Sequence, residues 1–300
     1  MASSFENGNE GSGTVDFAQP KKRHFRSVWF SDLHLGSKDC RHDALSLFLD
    51  SITCDTLYLV GDIVDLWALR KKWHWPSEYN LLVNQFLHGS HGASEIVYIP
   101  GNHDEELRDL AGYRFGNLRM ELQVQHVTAD GRRFLVLHGD EFDSVHNRCR
   151  WLSNLGNWFY GQLILINSAV NIVRGWWGRP YWSFSGTVKR RVKQVVKRFN
   201  RFEHRLTAEA TRREFDGVIC GHIHQPGLRE VQGMLYCNTG DWIESCSAIV
   251  ETEQGALKLL KWVDGPRGGV SGWNEKSEAI PPANVPAPQR SPRSAKPKSK

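Results

Sequence analysis

The chain at residues 28–36 reads Val-Trp-Phe-Ser-Asp-Leu-His-Leu-Gly, an apolar run that ends in side chains able to bind a metal ion. Short β-branched and aromatic runs recur in the same way along the chain, and each predicts a buried strand. Helical patterns between the first three runs, for instance after His42, give a β-α-β-α-β beginning. We therefore predict an α/β fold, a two-sheet sandwich that closes near Trp262. The runs lie at residues 28–30, 57–60, 96–99, 134–137 and 217–220.

Each of these runs is followed at once by a polar cluster. Ligands bind at the carboxyl ends of strands in open α/β sheets, because the loops there converge on a rigid edge. A single cluster is weak support: Asp32-x-His34 is also typical of a hydrogen-bonded turn, and a lone His138 of a core histidine. Together they predict one site at a shared edge. The clusters are Ser31–His34, Gly61–Asp65, Gly101–Asp104, His138–Asp140 and Gly221–His224.

The side chains in these clusters offer oxygen and nitrogen donors and no thiolate. Such donors suit Mn²⁺, Fe²⁺ or Zn²⁺, and seven of them are too many for one ion that keeps a position open for substrate. Two divalent ions that share a carboxylate are the simplest arrangement. The predicted metal ligands are Asp32, His34, Asp62, Asn102, His138, His222 and His224.

The ordered motifs Asp-x-His, Gly-Asp-x-x-Asp, Gly-Asn-His-Asp, His-Gly-Asp and Gly-His-x-His resemble the calcineurin-like metallophosphoesterase superfamily over residues 26–262. The resemblance implies a sandwich with α/β/β/α layers and a two-metal phosphoester hydrolase. It implies catalytic roles for Asp62, as the bridge between the ions, and for His103, which would contact the phosphate or protonate the leaving group. Asp104 would orient His103, or else have a surface or capping role. One ion would be held by Asp32, His34, Asp62 and His224, and the other by Asp62, Asn102, His138 and His222.

Within that superfamily, residues 31–36 and 59–67 and a helical insertion resemble the UDP-2,3-diacylglucosamine diphosphatase family of lipid A biosynthesis. This implies cleavage of a nucleotide-linked acylated sugar to UMP and the sugar 1-phosphate, generally with Mn²⁺. Asn102, His103 and His222 would then contact substrate. That family has Arg where this chain has His103, which leaves another substrate open: a cyclic nucleotide, a nucleic-acid end or a different nucleotide-linked lipid.

The predicted helical insertion spans residues 143–215 and holds five of the twelve tryptophans. Residues 186–205 contain eight Lys or Arg and one Glu, and Lys189, Lys193 and Lys197 recur on one helical face. We expect this face to contact the substrate through Lys189 and Lys193 and to bind an anionic membrane surface, although a solvated face is the alternative. A non-enzymatic module that binds a membrane or nucleic acid would not need seven metal-ligand side chains, so a nucleic-acid partner is disfavoured.

The remaining expectations concern the limits of the domain and its compartment. We predict a disordered leader at residues 1–24, a catalytic domain at 25–262, and a disordered Pro-rich basic tail at 263–300. Six scattered cysteines without a Cys-x-x-Cys pair, together with the lack of a signal peptide or membrane-spanning segment, indicate reduced thiols in a cytoplasmic protein. The sequence gives no indication of oligomeric state.

Overall fold

Two β-sheets form the centre of the protein, and the predicted apolar runs supply strands of both. The computed structural model describes residues 22–88, 91–143, 201–263, 272–274 and 278–283. In the first sheet the strand order is β13-β12-β11-β1-β2-β3-β5-β4, with β14 also paired to β12. Its strands are β1 (Arg23–Phe30), β2 (Ile52–Val60), β3 (Glu95–Ile99), β4 (Arg114–Phe115), β5 (Leu118–Met120), β11 (Ser247–Glu251), β12 (Leu257–Val263), β13 (Gly272–Asn274) and β14 (Ala279–Ile280).

The second sheet has the strand order β6-β7-β8-β10-β9. Its strands are β6 (Gln123–Val127), β7 (Arg133–Leu137), β8 (Gly217–Cys220), β9 (Gly227–Val231) and β10 (Met234–Asn238). The helices are α1 (His42–Asp50), α2 (Leu66–Lys71), α3 (Ser77–His88) and α4, which is helical over residues 201–212, with short 3-10 helices at Glu105–Leu110 and Asp140–Phe142.

The strands that precede the polar clusters are parallel and level with one another. In the first sheet β1, β2 and β3 run parallel, with Phe30 opposite Leu59 and Val60 opposite Ile99. In the second sheet β7 and β8 are parallel. Because parallel strands end at the same edge, the loops that follow them begin side by side. The chain therefore delivers its polar clusters to one edge of the sandwich.

Three apolar layers hold the sheets and helices together. Leu45 and Phe48 of α1 and Leu82 of α3 belong to the core on the outer face of the first sheet. Trp29 and Phe134 belong to the core between the sheets, which is formed by both of them. Fully buried strands of this kind are apolar on both faces, as the sequence runs show. The α/β two-sheet sandwich is confirmed.

The structure differs from the predicted boundaries at two places. In α4, Phe202, Leu206 and Ala210 pack on the outer face of the second sheet, so the last part of the predicted insertion forms a layer of the sandwich. Beyond Trp262, β13 and β14 pair with β12. An edge strand presents unpaired backbone groups that any extended segment can satisfy, so these two strands need little apolar sequence.

Several predicted features lie outside the described residues. These are residues 1–21, most of the insertion with Lys189, Lys193 and Lys197, and the tail from residue 284. Across the described ranges, no helix is both long enough and apolar enough to cross a membrane. Cys40, Cys54, Cys220, Cys237 and Cys246 are buried and form no disulfide bond among the described residues.

Candidate metal centre

All seven predicted ligands lie at the shared edge of the two sheets. Six of them, all but Asn102, form three overlapping groups together with His103, and the donor atoms within each group lie within 4.8 Å of one another. Asp62 belongs to two groups and so does His34, so the groups form one continuous centre. Asn102 lies between Gly101 and His103, and both of these neighbours approach Asp62. The groups are Asp32 with His34 and His224, His34 with Asp62 and His103, and Asp62 with His138 and His222.

The backbone at this edge adopts an unusual conformation. Five of the seven residues have a positive φ, between 53° and 71°, which is uncommon for residues other than glycine. Hydrogen bonds between neighbouring loops hold it: the Asp32 N–H donates to Gly61 O at 3.0 Å, and the His34 N–H donates to Asp62 O at 2.9 Å. The left-handed turns end the strands abruptly and direct the side chains into the centre. The five residues are Asp32, His34, Asp62, His222 and His224.

Glycine is required beside two of these side chains. A Cβ on Gly61, where φ is +83°, would collide with the His138 ring. A Cβ on Gly101 would collide with a carboxylate oxygen of Asp62. The glycines of two predicted motifs therefore give the donor side chains room to approach.

Asp104 has a different position from either one predicted for it. It is fully buried, and its carboxylate accepts hydrogen bonds from Gly101 N at 2.6 Å, Ile63 N at 2.9 Å and the Tyr98 hydroxyl at 2.6 Å. Weaker bonds come from the N–H groups of Asp62 and Val64 at 3.3 Å. Asp104 neither orients His103 nor lies at the surface, and although it precedes the 3-10 helix Glu105–Leu110 its side chain makes no capping bond there; its oxygens instead join the loops after β2 and β3.

Asp65 is the carboxylate that faces His103. Its Oδ1 lies 3.0 Å from His103 Nδ1, its Oδ2 lies 3.4 Å from His34 Nδ1, and it caps α2 by accepting from Ala68 N at 2.8 Å. Burial raises the pKa of Asp65, but His103 and His34 outweigh it and hold this pKa below its usual value. The signal for this role was present in the Gly-Asp-x-x-Asp motif, whose last residue has no assignment in the sequence prediction.

The His103 ring is enclosed by aromatic neighbours. The Trp67 ring lies over it with a centroid separation of 4.0 Å, and the His34 ring meets it edge-on at 4.5 Å. The His103 N–H donates to Asp62 Oδ1 at 2.8 Å, which joins the backbone here to the bridging carboxylate. About a quarter of the His103 side chain is exposed, whereas Asp62 is buried. His103 therefore lies at the open side of the centre.

The electrostatics of the centre fit bound cations. Burial lowers the pKa of His138, but the Asp62 carboxylate outweighs it and raises this pKa to about 10. The pKa of His224 rises to about 9 for the same reason, with Asp32 as its partner. Burial raises the pKa of Asp62, yet His138 and His34 hold it well below its usual value. The buried carboxylates are thus ionised and require positive charge beside them.

Buried polar atoms that lack a hydrogen-bond partner also fit bound metal ions. His34 Nε2, Asn102 Oδ1 and His138 Nε2 are buried without a hydrogen-bond partner among the described residues, although the two ring nitrogens face Asp62 Oδ2 at 3.9 and 3.4 Å. His138 Nδ1 lies 2.9 Å from the Val60 carbonyl, which fixes the ring so that Nε2 points inward. Buried polar atoms left unpaired are costly, and a divalent ion would satisfy them.

Further carboxylates and a hydroxyl surround the predicted ligands, and the sequence analysis missed them. Asp143 Oδ2 lies 3.4 Å from His222 Nε2, Asp241 Oδ2 lies 4.0 Å from His224 Nδ1, and Ser31 donates a hydrogen bond to Asp32. Asp143 stands where the insertion was predicted to begin, and no pattern distinguishes Asp241. Such contacts form between distant loops, so spacing along the chain does not predict them.

The chain is similar in sequence to a known family and to individual known proteins. The model of the family described as calcineurin-like phosphoesterase matches residues 25–226, about two thirds of the chain. The chain is 27% identical over 295 residues to the DNA polymerase II small subunit of Methanothermobacter thermautotrophicus, covering 81% of this chain and 55% of that protein. It is 26% identical over 252 residues to the UDP-2,3-diacylglucosamine hydrolase of Pectobacterium carotovorum, covering 79% and 98%. The chain thus spans about half the length of the archaeal relative and nearly all of the bacterial one.

Solved structures that align with this chain include Vps29 from Entamoeba histolytica complexed with zinc. That alignment has a TM-score of 0.42 and 13% identity, and it covers 85% of this chain and 97% of that one. A dimetal phosphatase from Danio rerio aligns with a TM-score of 0.41 and 12% identity, covering 86% and 99%.

Proposed function

The chain belongs to the calcineurin-like phosphoesterase family and is a metal-dependent hydrolase, and we propose that its substrate is a nucleotide-linked acylated sugar. Its pyrophosphate bond would be cleaved to give UMP and the sugar 1-phosphate. The observation that carries the hydrolytic part of the proposal is the chain of donor groups that overlap at His34 and at Asp62. One shared, buried carboxylate between two sets of imidazoles suits two ions that act on one phosphoryl group.

We assign the ligands in two sets. Asp32, His34 and His224 would hold one ion together with Asp62. Asp62 would also complete the second set, with Asn102, His138 and His222. Two bound ions supply an activated water and neutralise charge on the phosphoryl oxygens. Mn²⁺ is our choice of metal, and Fe²⁺ or Zn²⁺ would accept the same nitrogen and oxygen donors.

The role of His103 follows from its contacts. Asp65 at Nδ1 fixes the orientation of the ring, which leaves Nε2 to face the substrate. From there His103 can donate a hydrogen bond to a phosphoryl oxygen or a proton to the leaving oxygen. Asn102 and His222, which also belong to the second ligand set, are proposed to contact the phosphate as well.

The relative from Pectobacterium carotovorum is called a UDP-2,3-diacylglucosamine hydrolase, and the motifs around Asp32 and Asp62 support the same substrate class here. The same resemblance would place the enzyme in lipid A biosynthesis, in the cytoplasm at the inner face of a membrane. Lys189 and Lys193 would contact the substrate, and with Lys197 they would bind the anionic membrane surface. We expect no nucleic-acid partner.

One observation favours a second candidate, a phosphodiesterase of the same family with another substrate. A phosphate leaving group departs as an anion without help, whereas an alkoxide leaving group needs a proton at neutral pH. The Asp65–His103 pair is well placed to give that proton, and the diphosphatase family has Arg at this position. A cyclic nucleotide, a nucleic-acid end or a different nucleotide-linked lipid would then be the substrate.

The test compares these substrates on one preparation. Protein loaded with Mn²⁺ is given a UDP-linked acylated sugar, a cyclic nucleotide, a short oligonucleotide and a chromogenic phosphodiester, and kcat/KM is measured for each. We expect a strong preference for the acylated sugar nucleotide, two equivalents of metal per chain, and no turnover of any substrate by Asp62→Ala. Preference for a diester would replace the substrate proposal, and an active Asp62→Ala protein would rule out the two-metal assignment.

A further inference from the structure

A short basic and aromatic segment begins in the last turn of α2 and continues beyond it, beside the metal centre. Residues 70–75 read Arg-Lys-Lys-Trp-His-Trp, and we call them the aromatic-basic rim. No acidic residue occurs between Asp65 and Glu78, so the rim carries three formal positive charges from Arg70, Lys71 and Lys72. The metal centre does not use these residues.

The rim is held in place through its last two residues. The Trp75 ring packs edge-on against Tyr79 at 5.5 Å, and Trp75 Nε1 donates to Asn80 Oδ1 at 2.9 Å. His74 also packs edge-on against Tyr79, whose hydroxyl donates to Ser37 O at 2.6 Å. With its neighbours anchored in this way, Trp73 projects outward and is 73% exposed. Tryptophan is highly buried on average, and an indole held at the surface offers a partner both an apolar ring and a polar N–H.

Two of the three charges are available to a partner. Arg70 pairs with Glu106 at 2.6 Å, whereas Lys71 and Lys72 are exposed and make no ion pair within the described ranges. Lysine chains of this kind extend their charge into water while the stem covers apolar surface. The rim therefore offers two cations beside one exposed indole.

The rim lies close to the metal centre. α2 begins directly after Asp65, which contacts His103, and its six residues span about 9 Å. The Arg70–Glu106 pair joins the rim to the 3-10 helix that follows His103. A partner that sits on the rim would thus lie about one helix length from His103.

We propose that the aromatic-basic rim docks on an anionic lipid surface. Indole rings favour the boundary between lipid and water, since one edge is apolar and the N–H is polar. Lysines next to them are attracted by anionic headgroups. The purpose of the docking rests on the proposed function, because a lipid-linked substrate lies in a membrane, but the docking itself needs no substrate. A single-stranded nucleic acid is the rival partner, since aromatic and basic side chains also bind it.

Vesicle flotation tests the proposal on the full chain. Vesicles of phosphatidylcholine alone are compared with vesicles that also contain phosphatidylglycerol, and the same variants are titrated with a single-stranded oligonucleotide. We expect the wild-type protein to bind the anionic vesicles, and salt to weaken this binding. Lys71→Gln with Lys72→Gln should lower the partition constant about tenfold or more, and Trp73→Ala should lower it several-fold.

The chain offers matched controls. Lys258→Gln with Lys261→Gln removes the same charge from β12, and Leu81→Ala removes another exposed apolar side chain, on α3; both should bind like wild type. Hydrolysis of the chromogenic phosphodiester should be unchanged in the rim variants, which shows that they fold. Three results would each overturn the proposal. The wild-type protein could fail to bind anionic vesicles, the rim variants could bind them as tightly as the control variants do, or the rim variants could lose only their binding to the oligonucleotide. Rim-dependent vesicle binding without turnover of the acylated sugar nucleotide would reject the substrate and keep the docking surface.

Discussion

At the scale of single residues, the metal centre combines side chains that can bind metal ions with a backbone conformation of high free energy. Each left-handed, non-glycine residue costs about 1 to 3 kcal/mol relative to a relaxed conformation, and five of them lie here. Asp is among the residues that tolerate this conformation best, which suits it to Asp32 and Asp62. The sequence could predict the seven donors because they follow apolar runs. It could not predict their backbone, because neighbouring loops impose it.

The contact between Asp65 and His103 leads to a prediction about turnover. Asp65→Asn keeps the size of the side chain and its ability to cap α2, but it removes the charge that orients His103 and His34. We expect a loss of about 10 to 100-fold in kcat or in metal affinity, as for other partners of catalytic and ligating imidazoles. Kinetics of the chromogenic diester with measured metal content would show it.

Two further variants show how the effect of Asp65→Asn should be interpreted. His103→Ala should lower kcat while both ions remain bound, and loss of one metal equivalent would show that His103 is a ligand instead. Asp109→Asn removes an exposed carboxylate from the 3-10 helix Glu105–Leu110, which follows His103, and should behave like wild type. Asp65→Asn protein with unchanged kcat and metal content would contradict the positioning role.

At the scale of secondary structure, the strands were predictable and their partners were less so. The strands before the polar clusters have continuous apolar runs because both of their faces are buried, and this pattern is visible in the sequence. The helix α4 also has an apolar stripe, but the sequence could not show that Phe202 and Leu206 pack on the second sheet. β13 and β14 gain stability from backbone pairing with β12, which leaves little trace in side-chain type.

The buried Asp104 carboxylate gives a prediction about the loops after β2 and β3. Asp104→Ala leaves several buried N–H groups and the Tyr98 hydroxyl without their acceptor. Hydrogen bonds to a charged group contribute more than neutral ones, so we expect the free energy of unfolding to fall by about 3 kcal/mol or more. Urea unfolding of the metal-free protein would measure the change. Tyr98→Phe removes one of these bonds and should cost about 1 kcal/mol; an equal loss in both variants would count against the proposed joining role.

At the scale of the whole molecule, a polar network connects the two sheets. His126 of β6 lies between them, with Nδ1 2.9 Å from the Tyr58 hydroxyl of β2 and Nε2 2.8 Å from Glu251 Oε2 of β11. Arg26 of β1 and the Ala129 N–H both donate to Glu251 Oε1 at 2.7 Å. Glu251 is fully buried and is paired opposite Ser27, before the end of β1 that carries the metal centre. Apolar packing alone would let the sheets slide, whereas these bonds fix their relative position.

This network should make stability depend on pH in the acid range. Burial raises the pKa of Glu251, but the bonds from His126, the Ala129 N–H and Arg26 outweigh it and hold this pKa below 4.5, its ordinary value. A carboxylate whose pKa is lower in the folded state stabilises the protein above the unfolded pKa, and loses that contribution as the pH falls through the folded pKa. The free energy of unfolding should therefore decrease as the pH drops below 4.5.

Glu251→Gln separates this network from the other acidic groups. Replacing the charged partner in a buried network costs about 3 kcal/mol near neutral pH, and the variant should lose part of the acid dependence. Glu253→Gln is the control, because Glu253 forms an exposed pair with His24 that contributes at most about 1 kcal/mol. Urea unfolding of both variants in the metal-free state, from neutral to acid pH, provides the measurement. If the free energy of unfolding of Glu251→Gln depended on pH as steeply as that of the wild type, the acid sensitivity would arise from other groups. The buried carboxylates of the metal centre would then be its source.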